Sequence, residues 1–160
     1  MADAPELDRI DRQILHHLQR NARISNVELA EHVNLSPSPC LRRVKRLEEE
    51  GIIRSYTALV DQARVGLPVS VFVWVKLERQ VERDLAAFEK AIEGCPEVME
   101  CYLMTGAHDY LMRVVTPDLA RYERFLMDRL TRIPGVASIE SSFALKQIAY
   151  RTDLPLAPAP

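Results

Sequence analysis

The chemistry that this chain offers is concentrated in a run of cations between residues 36 and 47. The run holds Arg42, Arg43, Lys45 and Arg46 and contains no acidic residue. A guanidinium presents a planar fork of N–H donors that fits two acceptors on the edge of guanine, and all four cations suit phosphate oxygens. Taken alone, such a run favours the solvated face of an amphipathic helix. Together with the helices described below, it favours binding to a DNA duplex.

A second group of polar residues is the run Gly106-Ala107-His108-Asp109-Tyr110. Glycine lets the backbone come close to a ligand and offer N–H groups to a carboxylate. Asp109 would accept from an ammonium, and His108 would close over the ligand, with a charge that changes near neutral pH. These groups suit a free α-amino acid. On the residues alone, the favoured interpretation is a tight hairpin turn in which Asp109 caps the backbone.

The sequence shows no pattern typical of an enzyme or a metal site. It has no nucleophile–base pair, no phosphate loop and no metal-ligand cluster. His108 and Asp109 form the only plausible acid–base pair, and neighbouring residues of a strand point to opposite faces. The three cysteines, Cys40, Cys95 and Cys101, form no C-x-x-C pair, so we expect neither a zinc site nor a disulfide framework. We predict no catalytic residue, no metal and no cofactor.

Charge and hydropathy limit the class of protein further. The chain has 160 residues, a net charge of −2 and a pI of about 6.1, which excludes a protein that is basic over its whole surface. No apolar run approaches the roughly 20 residues that a membrane helix needs. The acidic start lacks the apolar core of a signal peptide. We expect a cytoplasmic protein, associated with the bacterial nucleoid and without a membrane partner.

Three helices are predicted in the first 51 residues. The first covers residues 7–20, with Asp8 as its N-cap and with Asn21 closing it in the left-handed conformation. The second begins at Ser25, whose spacing to Glu28 is that of a capping box. It is short and ends near residue 32.

The third helix follows a tight turn at Asn34, where a positive φ is expected. Ser36 is expected to cap this helix, Pro37 fits its first position and Gly51 ends it. Its buried stripe is predicted at i, i+3 and i+6, which gives Leu41, Val44 and Leu47.

A short capped helix, a tight turn and a basic helix are together typical of a helix-turn-helix. The last helix enters the major groove, so Ser38 and Arg42 near its start are predicted to read bases. The cations after them are predicted to bind phosphates and set the register. The full set predicted to contact DNA is Ser25, Asn26, Ser36, Ser38, Pro39, Arg42, Arg43, Lys45 and Arg46.

The second half of the chain alternates between strand and helix patterns. A short D-L-A repeat at Asp84 and Asp118, each followed by P-x-V, suggests two similar halves. The resulting order β-α-β-β-α-β predicts a ferredoxin-like sheet with both helices on one face. The first strand, VSVFVWV, is apolar on both faces because Phe72 and Trp74 alternate with valines. This pattern predicts that both faces are buried and that the protein forms oligomers.

These patterns predict an α+β protein with two domains. Residues 1–60 form a three-helix, winged helix-turn-helix domain with a following strand, and residues 61–68 form a linker. Residues 69–152 form the ferredoxin-like domain, whose last strand is predicted over VASIESSFALKQIAY. Residues 153–160 are a Pro-rich tail, predicted to be disordered at its end.

Two stretches of the chain resemble the Lrp/AsnC family of bacterial and archaeal feast/famine regulators: LDRIDRQILHHLQRNARISNVELAEHVNLSPSPCLRRVKRLEEEGIIRSYTALVD and MTGAHDYLMRVV. The resemblance extends over residues 6–156. It implies that the second domain binds an amino-acid effector and joins subunits into dimers, which then form tetramers or octamers. The chain departs from the family pattern at Asn34, where glycine is usual, and at Ala149, where lysine is frequent.

The resemblance also implies which residues bind the effector. The family's G-x-x-D-Y turn lies at the interface between dimers and matches the run from Gly106 to Tyr110. A threonine of the last strand near that site corresponds to Ser141. The predicted effector-binding set is therefore Gly106, Ala107, His108, Asp109, Tyr110 and Ser141.

These observations predict a sequence-specific DNA-binding transcriptional regulator. Its assembly or DNA affinity responds to a small effector, with an amino acid as the expected class. The expected partners are double-stranded DNA, the amino acid and further copies of the chain. Two alternatives remain at this point: an interaction scaffold that binds no DNA, and a small enzyme on the ferredoxin-like domain.

Overall fold

The computed structural model describes residues 6–156. Within this range, residues 6–59 and 149–156 form one compact unit, called the head below, and residues 60–148 form the other, called the sheet domain. Each unit has its own cluster of buried apolar side chains.

Three helices build the head: α1 (Arg9–Arg20), α2 (Asn26–His32) and α3 (Pro37–Glu49). Their apolar sides meet in one core, and its buried members are Ile14, Leu15, Leu29, Ala30, Val33, Cys40 and Leu47. The expected positive φ occurs at Asn34, where it is 54° and lets the chain turn between α2 and α3. Gly51 ends α3 with a φ of 70°.

The helix ends differ from the sequence predictions in three places. Asn21 does not adopt the left-handed conformation, because its φ is −142°. Ser36 is the N-cap of α3, but its side chain makes no capping hydrogen bond, and Pro39 at the third helical position has no N–H to donate to it. The reciprocal capping box occurs at Asp8 and Asp11 of α1, whereas Ser25 accepts only the Glu28 N–H, at 3.2 Å.

The sheet domain has the order β1 (Val69–Leu77), α4 (Glu82–Glu93), β2 (Val98–Leu103), β3 (Tyr110–Thr116), α5 (Leu119–Asp128) and β4 (Val136–Phe143). The strands lie in the order β2-β3-β1-β4 and all neighbours are antiparallel. A one-turn 3₁₀ helix, Leu130–Arg132, precedes β4. This is the predicted ferredoxin-like arrangement.

Both helices cover the same face of the sheet. Val71, Val73 and Val75 of β1 are fully buried and pack in one core with Phe88 of α4 and Phe125 of α5. The side chains between these valines point the other way. That opposite side is called the open face below, and it carries Phe72, which is 38% exposed, and the half-buried Trp74. The single chain thus leaves the open face partly uncovered, and burial of both faces of β1 stays a prediction that depends on a further copy of the chain.

Two predicted strand segments form no strand. The strand predicted after Gly51, over residues 52–60, does not form, since these residues pair in no strand with any described residue, so the head contains helices without a wing strand in the part of the chain that is described. The last strand ends at Phe143, short of the predicted Tyr150. Phe143 pairs with Val71, and only Val69 and Ser70 of β1 lie beyond that pair, where the Ala144 N–H still donates to the Ser70 carbonyl at 3.0 Å. A strand needs a ladder of backbone partners, and the sequence pattern does not show where that partner ends.

The C-terminal segment returns to the head. The Gln19 side chain of α1 accepts from the Leu154 N–H at 2.6 Å and donates to its carbonyl at 3.5 Å, and Leu156 packs against the head's core. Residues 149–152, predicted as part of the second domain, therefore group with the head. The predicted disorder at the end of the tail concerns residues 157–160, which lie outside the described range.

Within residues 6–156, no helix has the length and the apolar character required to cross a membrane.

Candidate functional site

Helix α3 presents three different sides. Cys40 and Leu47 are fully buried against the other helices, and half-buried Val44 lies between them. This i, i+4, i+7 stripe replaces the predicted one, because Leu41 is 42% exposed. The remaining residues divide into a side that faces α1 and a side that faces solvent.

The side that faces α1 holds two of the predicted phosphate contacts. One Nη atom of Arg43 lies 2.6 Å from a carboxylate oxygen of Asp8 and 2.8 Å from one of Asp11. One Nη atom of Arg46 lies 2.5 Å from the other oxygen of Asp11. The Asp11 side chain is 1% exposed, and these contacts together with the N–H of Asp8 compensate its buried charge. This group of four is called the acid–arginine cluster below.

The capping box explains why the two carboxylates lie where they do. Asp8 accepts from the Asp11 N–H at 2.8 Å, and Asp11 accepts from the Asp8 N–H at 3.3 Å. The first of these bonds lowers the pKa of Asp8, and the Arg43 guanidinium lowers it further against the opposing effect of burial. The same contacts raise the pKa of Arg43, led by its hydrogen bond with Asp8. Arg43 and Arg46 therefore have carboxylate partners within the head, which their prediction as phosphate contacts did not include.

The side of α3 that faces solvent carries Ser38, Arg42 and Lys45. All three are exposed, and neither cation pairs with an acid among the described residues. Positions 38, 42 and 45 lie at i, i+4 and i+7, so they form one stripe along the helix. This stripe is called the outward stripe below. It can place a hydroxyl, a guanidinium and an ammonium against one surface of a partner.

The other predicted DNA contacts surround the start of α3. Ser36 is exposed there and Pro39 is half-buried. Ser25 caps α2. The Asn26 side chain donates to the Pro37 carbonyl at 2.8 Å, which ties the starts of α2 and α3 together. Asn26 thus acts within the head, although its Oδ1 atom is buried without a partner among the described residues.

A histidine contact between α1 and α2 was not predicted from the sequence. The rings of His17 and His32 are stacked with centroids 4.6 Å apart and an interplanar angle of 10°, and His16 meets His17 edge-on at 5.5 Å. Burial lowers the pKa of His17, and the neighbouring His32, His16 and Arg20 lower it further. No acid is among these causes.

We expect the head to lose stability as the pH falls through 6.5, the ordinary pKa of histidine. Because folding lowers the pKa of His17, the unfolded chain takes up this proton first, and acid favours unfolding over that range. NMR titration of the His17 ring in the full chain should give a pKa below 6.5. In His32→Gln the His17 pKa should rise towards the ordinary value. A His17 pKa above 6.5 in the unaltered chain would contradict this prediction.

The turn before β3 fixes Asp109 tightly. Gly106 has a φ of 116°, which favours glycine, although a Cβ there would meet no atom within 4 Å. The Asp109 side chain is buried and accepts from the Leu77 N–H at 2.7 Å and from the Gln80 side-chain amide at 2.6 Å. Its backbone bonds to Val75 and Met104 at 2.9 and 2.7 Å. This carboxylate therefore caps the end of β1, which is the structural role favoured on the residues alone.

The other predicted effector residues lie on two sides of the sheet. Tyr110 is buried on the helix side, where its hydroxyl donates to Glu89 at 2.9 Å and its ring lies 4.4 Å from that of Phe88. Ser141 lies on the same side, with its hydroxyl 2.5 Å from that of Tyr122. Ala107 is exposed at the turn. A single chain therefore does not bring this set together.

His108 lies with residues of the open face. Its ring centroid is 5.6 Å from that of Trp74, and its Nε2 atom is 3.6 Å from a carboxylate oxygen of Glu140. Strand pairing explains the grouping, because Trp74 of β1 is opposite Glu140 of β4. Glu140 and Gln80 were not predicted, and no sequence signal marks either of them. The alternation of Trp74 with the buried valines was the one available indication for this face.

The cysteines show no sign of catalytic or metal-binding use. Cys40 and Cys95 are buried, and burial raises the pKa of both thiols. Burial and the nearby Glu89 raise the pKa of Cys101 to about 11, so this thiol is protonated at neutral pH. Among residues 6–156, no group of three or more metal-binding side chains is present.

Family models match both parts of the chain. Residues 7–54 match a winged helix-turn-helix DNA-binding model, and residues 70–154 match a model described as the Lrp/AsnC ligand binding domain. A Bkd operon transcriptional regulator of Pseudomonas aeruginosa is 52% identical and covers 94% of this chain and 99% of its own length. A leucine-responsive regulatory protein of Escherichia coli K12 is 41% identical, covering 89% and 87%.

Solved structures of related regulators have the same fold. A transcriptional regulator of Neisseria meningitidis, crystallised as a complex with L-methionine, superposes with a TM-score of 0.89 at 42% identity, covering 94% of this chain and 97% of its own. The AsnC protein of E. coli superposes with a TM-score of 0.85 at 27% identity, covering 92% and 97%. Both units of the chain therefore have counterparts in single relatives over nearly their full length.

Proposed function

The chain belongs to the Lrp/AsnC family of transcriptional regulators, and from this membership we propose that the outward stripe of α3 is its DNA-reading surface. Arg42 would donate to guanine in the major groove, Ser38 would contact bases near the helix start, and Lys45 would bind a phosphate. The observation that carries this assignment is the exposure of all three without a carboxylate partner among the described residues. Ser25, Ser36 and Pro39 flank this surface as further proposed contacts.

DNA binding by the unaltered protein is tested most simply with a duplex selected from a random pool. We expect the chain to enrich one sequence and to bind it more weakly as salt rises, because phosphate contacts release counterions. The interaction-scaffold alternative predicts that no duplex is retained. Equal retention of every sequence would contradict sequence-specific recognition.

The proposed effector is an amino acid with an aliphatic or thioether side chain. One similar structure holds L-methionine and several relatives are named as leucine-responsive. In this chain Gly106 and Ala107 form the exposed turn, and His108 lies beside Trp74 and Glu140, so backbone groups, an imidazole, an indole and a carboxylate lie near one another. Asp109, Tyr110 and Ser141 would shape the turn and strand behind the ligand rather than bind it directly.

We expect L-leucine or L-methionine at millimolar concentration to raise the melting temperature of the protein. A ligand that binds only the folded state stabilises it by mass action, by about 2.7 kcal/mol at 100 times its dissociation constant. Differential scanning fluorimetry measures this shift, and the D-enantiomer of the same amino acid is the matched control. If none of the twenty L-amino acids shifts the transition, amino-acid sensing is contradicted.

The open face supports assembly of several copies. Phe72 and the neighbouring Trp74 leave apolar surface uncovered in the single chain, as do Leu145, which is 99% exposed, and Ile148. A second copy would cover such surface, giving a dimer that presents two heads to half-sites about one helical turn, ~34 Å, apart. Further assembly to a tetramer or octamer would complete the effector site from two subunits. Effector binding would then change the spacing of the heads.

A regulatory role without catalysis is proposed for the sheet domain. Its relatives are transcriptional regulators. The only acid–base pair considered, His108 with Asp109, does not favour an enzyme, because the Asp109 carboxylate is engaged by Leu77 and Gln80. The proposed location is the cytoplasm, in association with the nucleoid.

A further inference from the structure

We propose that Asp11, together with Asp8, withholds Arg43 and Arg46 from DNA and so makes the head more selective for its site. Asp11 would be a positioning residue: it touches no base and acts through the two arginines of α3. The inference rests on the proposed function, since it requires α3 to be the DNA-reading helix.

The geometry of the acid–arginine cluster supports this role. Asp11 gives one carboxylate oxygen to each guanidinium, at 2.8 Å for Arg43 and 2.5 Å for Arg46, while Asp8 holds Arg43 from a second direction at 2.6 Å. The capping box holds both carboxylates in place. Because the Asp11 side chain is only 1% exposed, it cannot turn towards solvent without breaking its contacts with the two arginines.

The number of cations of α3 that are free to contact phosphate determines how tightly the head binds random DNA. Affinity for any duplex, whatever its sequence, rises with the number of phosphates that the protein neutralises. If all four cations of α3 were available, the head would bind random DNA tightly. Arg43 is held by α1, and Arg46 is held by α1 and, at 3.9 Å, by Glu50, so Arg42 and Lys45 are the two cations of α3 without a carboxylate partner among the described residues. These two lie together on the outward stripe. Specificity is the difference between the affinity for the preferred site and the affinity for random DNA. Lowering the affinity for random DNA therefore raises specificity.

The cluster also fixes the direction of α3. Arg43 and Arg46 are three residues apart and attach one side of α3 to the first turn of α1. This attachment sets the rotation of α3 about its own axis and thus the direction in which Arg42 points. Losing it would therefore weaken base reading while adding phosphate contacts.

The test is Asp11→Asn in the full chain, measured on the selected duplex and on a duplex of random sequence across a salt series. We expect the slope of log affinity against log salt on random DNA to steepen by about 0.9 per head, for the release of Arg46. Asp8→Asn with Asp11→Asn should roughly double that change by releasing Arg43 as well. The ratio of specific to non-specific affinity should fall about tenfold, which corresponds to about 1.4 kcal/mol.

Glu31→Gln is the control for charge, because it removes one exposed carboxylate of the head that has no ion pair among the described residues. It should leave the slope and the ratio close to those of the unaltered protein. Equal effects of Glu31→Gln and Asp11→Asn would overturn the proposal, because net charge alone would explain them.

A second substitution, at Arg46, distinguishes the proposed positioning role of Asp11 from a purely structural role. Asp11→Asn with Arg46→Met should return the salt slope to its original value, a recovery that lost folding would not produce. Arg46→Met alone should leave the slope unchanged, and this variant decides the matter if Asp11→Asn does not fold. A shallower slope in Arg46→Met would show that Arg46 already contacts phosphate and would overturn the inference. If the unaltered protein binds no DNA, it is the proposed function that fails instead.

Discussion

Replacing Arg42 and Lys45 by alanine should reduce affinity for the selected duplex by roughly 100-fold or more and make its salt dependence shallower. A good bidentate contact to a base contributes about 1–3 kcal/mol of discrimination, and a phosphate contact adds salt-dependent affinity. Arg42→Ala should mainly relax the preference for one base, whereas Lys45→Ala should weaken binding to all sequences alike. Fluorescence anisotropy at fixed salt, followed by a salt series, measures both effects.

Arg124→Ala with Lys90→Ala is the matched control. Both side chains are exposed on the helices of the sheet domain, and neither has an ion pair among the described residues. The control removes two positive charges from the sheet domain and should change affinity by less than about twofold, because these charges take no part in the proposed contact with the duplex and exposed charges are screened by salt. If the control weakens binding as much as the α3 variant, the outward stripe is not the DNA-reading surface.

Asp109→Ala should destabilise the sheet domain strongly. The substitution leaves the buried Leu77 N–H without an acceptor and removes the partner of Gln80, at an expected cost of about 2–4 kcal/mol in the free energy of unfolding. Urea unfolding of the full chain, followed by circular dichroism and by the fluorescence of Trp74, reports this loss. Asp109→Asn keeps one acceptor oxygen and should cost less.

Asp118→Ala provides the comparison for Asp109→Ala within the same domain. Asp118 also accepts from a backbone N–H, that of Arg121 at 2.7 Å, but in an exposed position at the start of α5. Loss of such a cap costs about 1 kcal/mol. An Asp109→Ala protein as stable as the unaltered one, yet without an effector response, would show instead that the carboxylate is reserved for the ligand.

Local signals predicted most of the head. Polar caps, the Asn34 turn and the Gly51 stop each act within a few residues, so the three helices could be located from the sequence. The acid–arginine cluster could not be predicted, because Asp11 lies 32 residues before Arg43 and periodicity gives the exposed side of a helix but not its neighbour. The same limit explains the error at Leu41: the direction of the core depends on where α1 and α2 lie.

In the sheet domain, the ferredoxin-like arrangement followed from the repeat and from the alternation of strand and helix patterns, but the limits of the strand pairing did not. Residues 54–60 and 145–150 have strand composition and pair with no strand among residues 6–156. Asp109 illustrates the corresponding limit for a site. Its residue type fits both ammonium binding and backbone capping, and the sequence does not show that Leu77 and Gln80 are the groups that it caps.

Methylation interference on the selected duplex tests most directly whether the outward stripe reads the major groove. Methylating guanine N7 blocks the acceptor that Arg42 would use, so at least one guanine in each half-site should interfere with binding of the unaltered protein. That interference should disappear in Arg42→Ala and persist in Arg46→Met. A pattern that is unchanged in Arg42→Ala but loses a guanine in Arg46→Met would contradict the account.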